Sequence, residues 1–129
     1  IDKYLILDKM PFKIFGDGCQ IRDLNHIDDC SDAFILSAYS DVSDNKVYNL
    51  GSELPIELKS LADMLAGLGY GGKYELTPFS SSQKAIDIGS YFGDISLIKS
   101  DLNWLPRIAL REGLSETLAY YEKNKNRYW

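Results

Sequence analysis

The stretch Phe12-Lys13-Ile14-Phe15-Gly16-Asp17-Gly18-Cys19-Gln20-Ile21-Arg22-Asp23-Leu24-Asn25-His26-Ile27-Asp28-Asp29 decides how the rest of the chain is read. Lys13-Ile14-Phe15 is a short β-prone run. Gly16-Asp17-Gly18 follows, and glycine reaches positive φ without a Cβ clash, as a tight reversal requires. Gln20 to Ile27 returns as a second extended run, with apolar Ile21 beside Arg22 in strand alternation. The pattern predicts a hairpin, then a helix that begins near Cys30 and is capped by Asp28 or Asp29. It places one cation, Arg22, on a rigid strand close to a turn. A planar guanidinium held there suits a two-pronged contact to phosphate. On these residues alone the plainer reading, a hairpin with one exposed arginine, is favoured.

Working outward, the 129 residues suffice for one domain with a modest core. A hydrophobic content of 45% and a charged content of 26% describe an ordinary globular protein. The net charge of −5 argues against a nucleic-acid-binding surface. It leaves room for a small anionic ligand, which responds to local charge. No apolar run approaches the length of a membrane span, and without a basic leader ahead of an apolar core no signal peptide is expected. A cytoplasmic protein is expected. Cys19, Cys30 and the single His26 lack the spacing of a metal cluster; free thiols are expected, with a disulfide as the alternative. Ile1 to Asp8 reads as the inside of an amphipathic helix without a cap or an initiating Met, stopped by Met10-Pro11. A fragment is therefore expected.

Beyond the first stretch, Cys30 to Tyr39 reads as a helix apolar over much of its surface. Ser40–Lys46 is loop-like, and Val47-Tyr48-Asn49-Leu50 reads as a short strand ended by Gly51. Leu58, Leu61, Ala62 and Leu65 recur at helical spacing, predicting a helix from about Glu57 to Ala66. Gly67, Gly69, Gly71 and Gly72 follow a helix and precede none, so they suit a helix stop and not a phosphate loop. Lys73–Thr77 alternates as a strand, and Ser80-Ser81-Ser82 reads as a flexible loop. Asp94 caps a predicted short helix through Asp101. Ile108 to Leu110 is a short extended run, and a last helix starts near Arg111. Its tail, Glu122–Arg127, is a solvated charge run.

No catalytic set emerges. There is no glycine fingerprint for a dinucleotide and no supported Ser-His-Asp or Cys-His set. Tyr121 and Lys125 have the spacing of a Tyr-x-x-x-Lys pair, but they lie in the charged tail. His26 suits a packed or hydrogen-bonded position better than a general base. The chain alone is expected to be inactive. What it offers is Arg22 together with Lys84 and Asp87, three apart. A cation can meet phosphate while a nearby carboxylate accepts ribose hydroxyls. Without a family, a surface ion pair of little worth explains Lys84 and Asp87 better.

The order Phe15-Gly16-Asp17-Gly18-x-Gln20-x-Arg22-Asp23-x-x-His26-Ile27-x-Asp29 resembles the start of the C-terminal part of the extended short-chain dehydrogenase/reductase family. These are NAD-dependent nucleotide-sugar epimerases and dehydratases, with UDP-glucose 4-epimerase as the familiar member. Tyr48-Asn49-Leu50-Gly51, Asp94-x-Ser96-x-x-Lys99, Leu102-Asn103-Trp104-x-Pro106 and Glu112-Gly113-Leu114 resemble further family segments in the same order.

The resemblance implies a small α/β, α+β-like domain spanning residues 1–129, the substrate-binding part without its Rossmann sheet. It implies that Arg22 contacts the sugar-nucleotide pyrophosphate and Asp87 the ribose. Lys84 matches a position usually held by arginine near the phosphates, and a point charge there replaces a planar fork. The backbone around Lys13 and Phe15 matches the segment facing the base, and Tyr91 lies near the site. Asp29 matches a helix-capping aspartate, and Asn103 stands where the family often has glycine. NAD is implied for the missing N-terminal part, with a nucleotide sugar, UDP-linked by preference, as the partner. The parent is implied to be a homodimer, and the fragment is expected to self-associate through surface that the Rossmann half would cover. Against this UDP-hexose 4-epimerase-like reading stand a dehydratase or decarboxylase of the same family, a non-catalytic nucleotide-sugar-binding module, and a purely structural interaction domain.

Overall fold

The computed structural model describes residues 11–70 and 73–128. The expected helix over residues 1–8, and Gly71 and Gly72 of the glycine run, lie outside them. Strand β1 (Phe12–Phe15) opens the described chain. Phe12 and Ile14 point into the core while Lys13 and Phe15 point out, the period-2 alternation of a one-sided strand. Strand β2 (Ile21–Arg22) follows, then helix α1 (Ile27–Ala38) and a 3₁₀ turn at Asp41–Ser43. Strand β3 (Ile56–Glu57) leads directly into helix α2 (Leu58–Leu65). A π-helical turn, Ala66–Tyr70, prolongs α2, and strand β4 (Tyr74–Thr77) comes next. Four helices complete the chain: α3 (Ser81–Ile86), α4 (Ser96–Leu102), α5 (Leu110–Lys123) and α6 (Lys125–Tyr128). The architecture is the small mixed helix-and-strand domain expected.

The predicted hairpin is not formed. β1 pairs in parallel with β4, Phe12 opposite Tyr74 and Phe15 opposite Thr77. β2 pairs antiparallel with β3, Ile21 opposite Glu57 and Arg22 opposite Ile56. The glycines do reverse the chain, at φ +81° for Gly16 and +78° for Gly18. They turn it out of one sheet and into another. Gly18 and Gln20 then give their carbonyls to Lys59 N (2.9 Å) and Leu58 N (3.0 Å) at the head of α2. Those bonds take up groups that a hairpin would have used for its own ladder.

Two apolar clusters hold the domain. In the first, Phe12 and Ile14 of β1 meet Leu61, Ala62 and Leu65 of α2 and Leu118 of α5. In the second, Ala33 of α1 meets Ile95, Ile98 of α4 and Trp104. Each fully buried Leu or Ile contributes about 1.5–3 kcal/mol. The second cluster is pinned by Asp29. Its backbone carbonyl accepts from Trp104 Nε1 at 3.0 Å. Its carboxylate accepts from Arg107 N and Ile108 N, each at 3.0 Å.

Asp29 therefore serves a distant loop and does not cap α1. The cap is His26, whose Nδ1 accepts from Asp28 N at 3.3 Å. The expected strand at Val47–Leu50 has no sheet partner among the described residues. It is held through side chains, with Tyr48 donating to Asp101 at 2.9 Å and Asn49 Nδ2 to the Asp94 carbonyl at 3.3 Å. Ser80–Ser82 is no loose loop: Ser80 caps α3 through a reciprocal capping box with Gln83. The expected extended run from Ile108 ends early because α5 already begins at Leu110. The N-cap of α4 is Ile95, and Asp94 stands one residue ahead of it, where its carboxylate accepts from Ser96 N at 2.8 Å. Asn103 ends α4 at φ +51°, the left-handed position where asparagine substitutes for glycine at little cost.

Candidate functional site

In a parallel pair the amides of alternate residues point to opposite edges. Phe12 N donates to Lys73 O at 3.0 Å and Gly16 N to Thr77 O at 2.9 Å, so β1 spends its even-numbered residues on β4. Lys13 and Phe15 turn their backbone groups to the other edge, along which no strand of the described residues pairs. A cavity of about 260 Å³ opens there, bounded by Lys13, Phe15, Gln20, Phe79 and Asp87 over the apolar floor of α2.

The wall facing β1 comes from the turn before α3. Phe79 stacks on Phe15, ring centroids 6.1 Å apart and planes inclined by 30°. Lys84 Nζ lies 5.2 Å from the Phe79 ring and 3.8 Å from Asp87 Oδ2. The Lys84 side chain is 70% exposed, whereas that of Asp87 is 13% exposed. Lys84 lies in α3 and Asp87 is the C-cap that follows it.

Arg22 sits beside this cavity, not in its wall. It is half-buried, and its Nη1 donates to Ile21 O at 2.7 Å and to Gly89 O at 2.6 Å. The guanidinium, expected to be exposed, is thus anchored on one side by the segment that follows Asp87. The Nε and Nη2 edge makes no hydrogen bond with the described residues. The same segment binds β2 directly: Tyr91 N donates to Ile21 O at 3.0 Å, and Ile21 N to Ser90 Oγ at 3.1 Å. Tyr91 is thereby next to Arg22 and is 55% exposed.

Of the six residues singled out in the sequence, Lys13, Phe15 and Asp87 share the cavity. Lys84 joins them through Phe79 and Asp87, and Arg22 and Tyr91 flank them. Phe79 and Gln20 were missed. Gln20 stands inside the motif quoted for the family, and Phe79 follows the proline that closes β4, but neither carries a charge to attract notice. Among the described residues no His, Cys, Asp or Glu group is placed to hold a metal ion. Cys19 is free, and Asp17 beside it pushes its thiol pKa up, the opposite of an activated nucleophile. No helix of the described residues is long and apolar enough to cross a membrane.

No protein-family model matches the chain. UDP-glucuronate 4-epimerase of Thermodesulfobacterium geofontis is 35% identical over 121 residues, covering 92% of this chain and 36% of the relative. GDP-L-fucose synthases and dTDP-glucose 4,6-dehydratases also match over a similar length. Among solved structures, UDP-glucose 4-epimerase of Thermotoga maritima with UDP-glucose superposes with a TM-score of 0.81 at 27% identity, covering 96% of this chain and 38% of that one. UDP-glucuronic acid 4-epimerase of Bacillus cereus, in complex with UDP-glucuronic acid and NAD, gives 0.78 at 25% identity, with 95% and 38% covered. The chain thus spans little more than a third of the length of the proteins it matches. The order of its motifs, its fold and these likenesses agree: the chain belongs to the extended short-chain dehydrogenase/reductase family, the NAD-dependent nucleotide-sugar epimerases and dehydratases, and corresponds to the C-terminal part of its members.

Proposed function

We propose that this chain grips the nucleotide diphosphate of a nucleotide sugar and orients the sugar for hydride transfer to NAD in a UDP-hexose 4-epimerase-like enzyme. The observation that carries this reading is the tie between Arg22 and the segment that follows the Lys84–Asp87 pair, whose Asp87 lines the cavity. The Arg22 Nη1 bond to Gly89 O joins β2 to the chain just beyond Asp87. The free edge of the Arg22 guanidinium binds the pyrophosphate, and Lys84 adds a second, more mobile positive charge. The Asp87 carboxylate accepts the ribose hydroxyls. The open edge at Lys13 and Phe15 meets the base. This contribution is positioning: it fixes one end of the substrate so that the reacting carbon is held in place.

The described residues do not themselves fit NAD. The Gly16–Gly18 pair lies between two strands, whereas a dinucleotide's pyrophosphate needs a glycine turn that opens a helix. NAD is therefore assigned to another part of the enzyme.

Calorimetric titration with UDP and with uridine tests the reading. UDP is expected to bind at least about tenfold more tightly than uridine, and Arg22→Ala is expected to bring UDP down to the level of uridine. Equal binding of the two by the wild-type chain, or UDP binding unchanged in Arg22→Ala, would overturn it.

A further inference from the structure

Between α3 and α4, residues 87–95 form neither helix nor strand, yet they are fastened to β2 and the residue after it. Ile21 N donates to Ser90 Oγ at 3.1 Å, and Ile21 O accepts from Tyr91 N at 3.0 Å. Gly93 N donates to Asp23 Oδ2 at 2.6 Å. Arg22 Nη1 is clamped between two carbonyls, that of Ile21 at 2.7 Å and that of Gly89 at 2.6 Å. The segment is thus a strap laid along β2, and one end of the Arg22 guanidinium is caught under it.

Three of the strap groups in these bonds are backbone: the Gly89 carbonyl and the amides of Tyr91 and Gly93. Nearly every residue carries such groups, so they would serve as well after a slip of the strap along β2. Ile88, Tyr91 and Phe92 are exposed, so side-chain packing does little to fix the register. The fourth group, the Ser90 hydroxyl, belongs to one position only. Its neighbours cannot replace it. Gly89 has no side chain, and the Tyr91 hydroxyl stands a ring's length from its own backbone. A slip of one residue would carry Asp87 about 3.3 Å along β2 relative to Arg22, the length of a whole hydrogen bond.

Resting on the nucleotide reading above, we propose that Ser90 is a positioning residue whose hydroxyl sets the register of the strap on β2. It thereby sets the spacing between the Arg22 guanidinium, which meets the pyrophosphate, and the Asp87 carboxylate, which meets the ribose. Ser90 acts without touching the ligand. It holds the Gly89 carbonyl, one residue before it, where Arg22 Nη1 finds it. It also fixes Asp87, three residues before it. A nucleoside diphosphate must satisfy both contacts at once, so its affinity depends on their spacing. A nucleoside meets the carboxylate alone, and its affinity does not.

UDP and uridine differ in the diphosphate alone, so their comparison separates the two contacts. In Ser90→Ala, calorimetry is expected to show UDP bound about fivefold more weakly, with uridine unchanged. Ser90→Thr keeps a hydroxyl and is expected to hold UDP within about twofold of wild type. In an Arg22→Ala background, Ser90→Ala is expected to weaken UDP no further, because the two residues act through one contact. Unchanged UDP affinity in Ser90→Ala would overturn the role of Ser90 while leaving the nucleotide site standing. So would an equal loss for uridine, or a loss of about fivefold that persists without Arg22, the results of a merely structural role. Absence of UDP binding by the wild-type chain, or UDP binding unaffected by Arg22→Ala alone, would overturn the nucleotide reading, and this inference with it.

Discussion

Arg22 on β2 donates its Nη1 to the carbonyl of Gly89, 67 residues further along, at 2.6 Å. That bond locks half of the guanidinium and leaves the other half as a fixed fork. A lysine could reach the same carbonyl but could not keep a second, parallel pair of donors free. Arg22→Lys is accordingly predicted to weaken UDP binding about tenfold or more, although the charge is kept. Calorimetry checks this, and wild-type affinity in Arg22→Lys would show that charge alone suffices.

Gly51 is required by contact. A Cβ there would lie 2.4 Å from Asp23 Oδ2, the oxygen that accepts from Gly93 N at 2.6 Å. Gly51→Ala must push Asp23 away from that amide. It is predicted to cost about 1–3 kcal/mol of stability. Urea unfolding measures the loss. In an Asp23→Ala background the same substitution is predicted to cost less, since the two residues share one contact. Equal cost in both backgrounds would refute the contact as the cause.

Asp101 accepts from Lys46 Nζ at 2.7 Å and from Tyr48 at 2.9 Å, and these bonds hold its carboxyl below the ordinary carboxylate pKa. Asp94 is lowered in the same direction by its bonds from Ser96. A folded pKa below the unfolded one, about 3.9 for aspartate, adds stability that is present above that pH. The stability is lost as the pH falls through the folded value. Acid unfolding is therefore predicted to involve protonation of Asp94 and Asp101. In Tyr48→Phe the Asp101 carboxyl is predicted to titrate closer to the ordinary value. Carbon-13 NMR of the side-chain carboxyls reads this out, and an unmoved Asp101 would contradict it.

The outer face of α1 is apolar and exposed. Phe34 is 72% exposed, Ile35 56% and the C-cap Tyr39 90%, and Val47, further along the chain, is 86% exposed. Patches of this kind mark interaction surfaces or association. The chain by itself is predicted to self-associate, and Phe34→Glu with Val47→Lys to shift it toward monomer. Sedimentation measures this. A wild-type monomer at high concentration that binds no dye for apolar surface would contradict it.

Much of this was legible in the residues. The helical spacing of Leu58, Leu61, Ala62 and Leu65 led to α2, and the alternation of Lys73–Thr77 led to β4, because each pattern reports a single buried face. The reversal at Gly16 and Gly18 was legible too, but not its destination. Whether β1 pairs with β2 or with β4 depends on a strand some sixty residues away, and no local pattern encodes that choice. The α1 cap was misread for a similar reason. Asp28 and Asp29 are strong caps by type, yet Asp29 is drawn into the core by Arg107 N and Ile108 N, leaving His26 to cap. At the site, the charged residues Arg22, Lys84 and Asp87 were visible from their chemistry and the family's motif order. Phe79 and Gln20 were not, since their part in it arises only where Phe15, Gly16 and the turn before α3 come together.

The most direct test of the nucleotide site is an amide NMR titration of this chain with UDP. Saturable shifts confined to Lys13, Phe15, Gln20, Arg22 and the segment from Lys84 to Tyr91, absent in Arg22→Ala, are predicted. A well-dispersed spectrum that does not change at millimolar UDP, or that changes only elsewhere, would contradict the assignment of this cavity to a nucleotide.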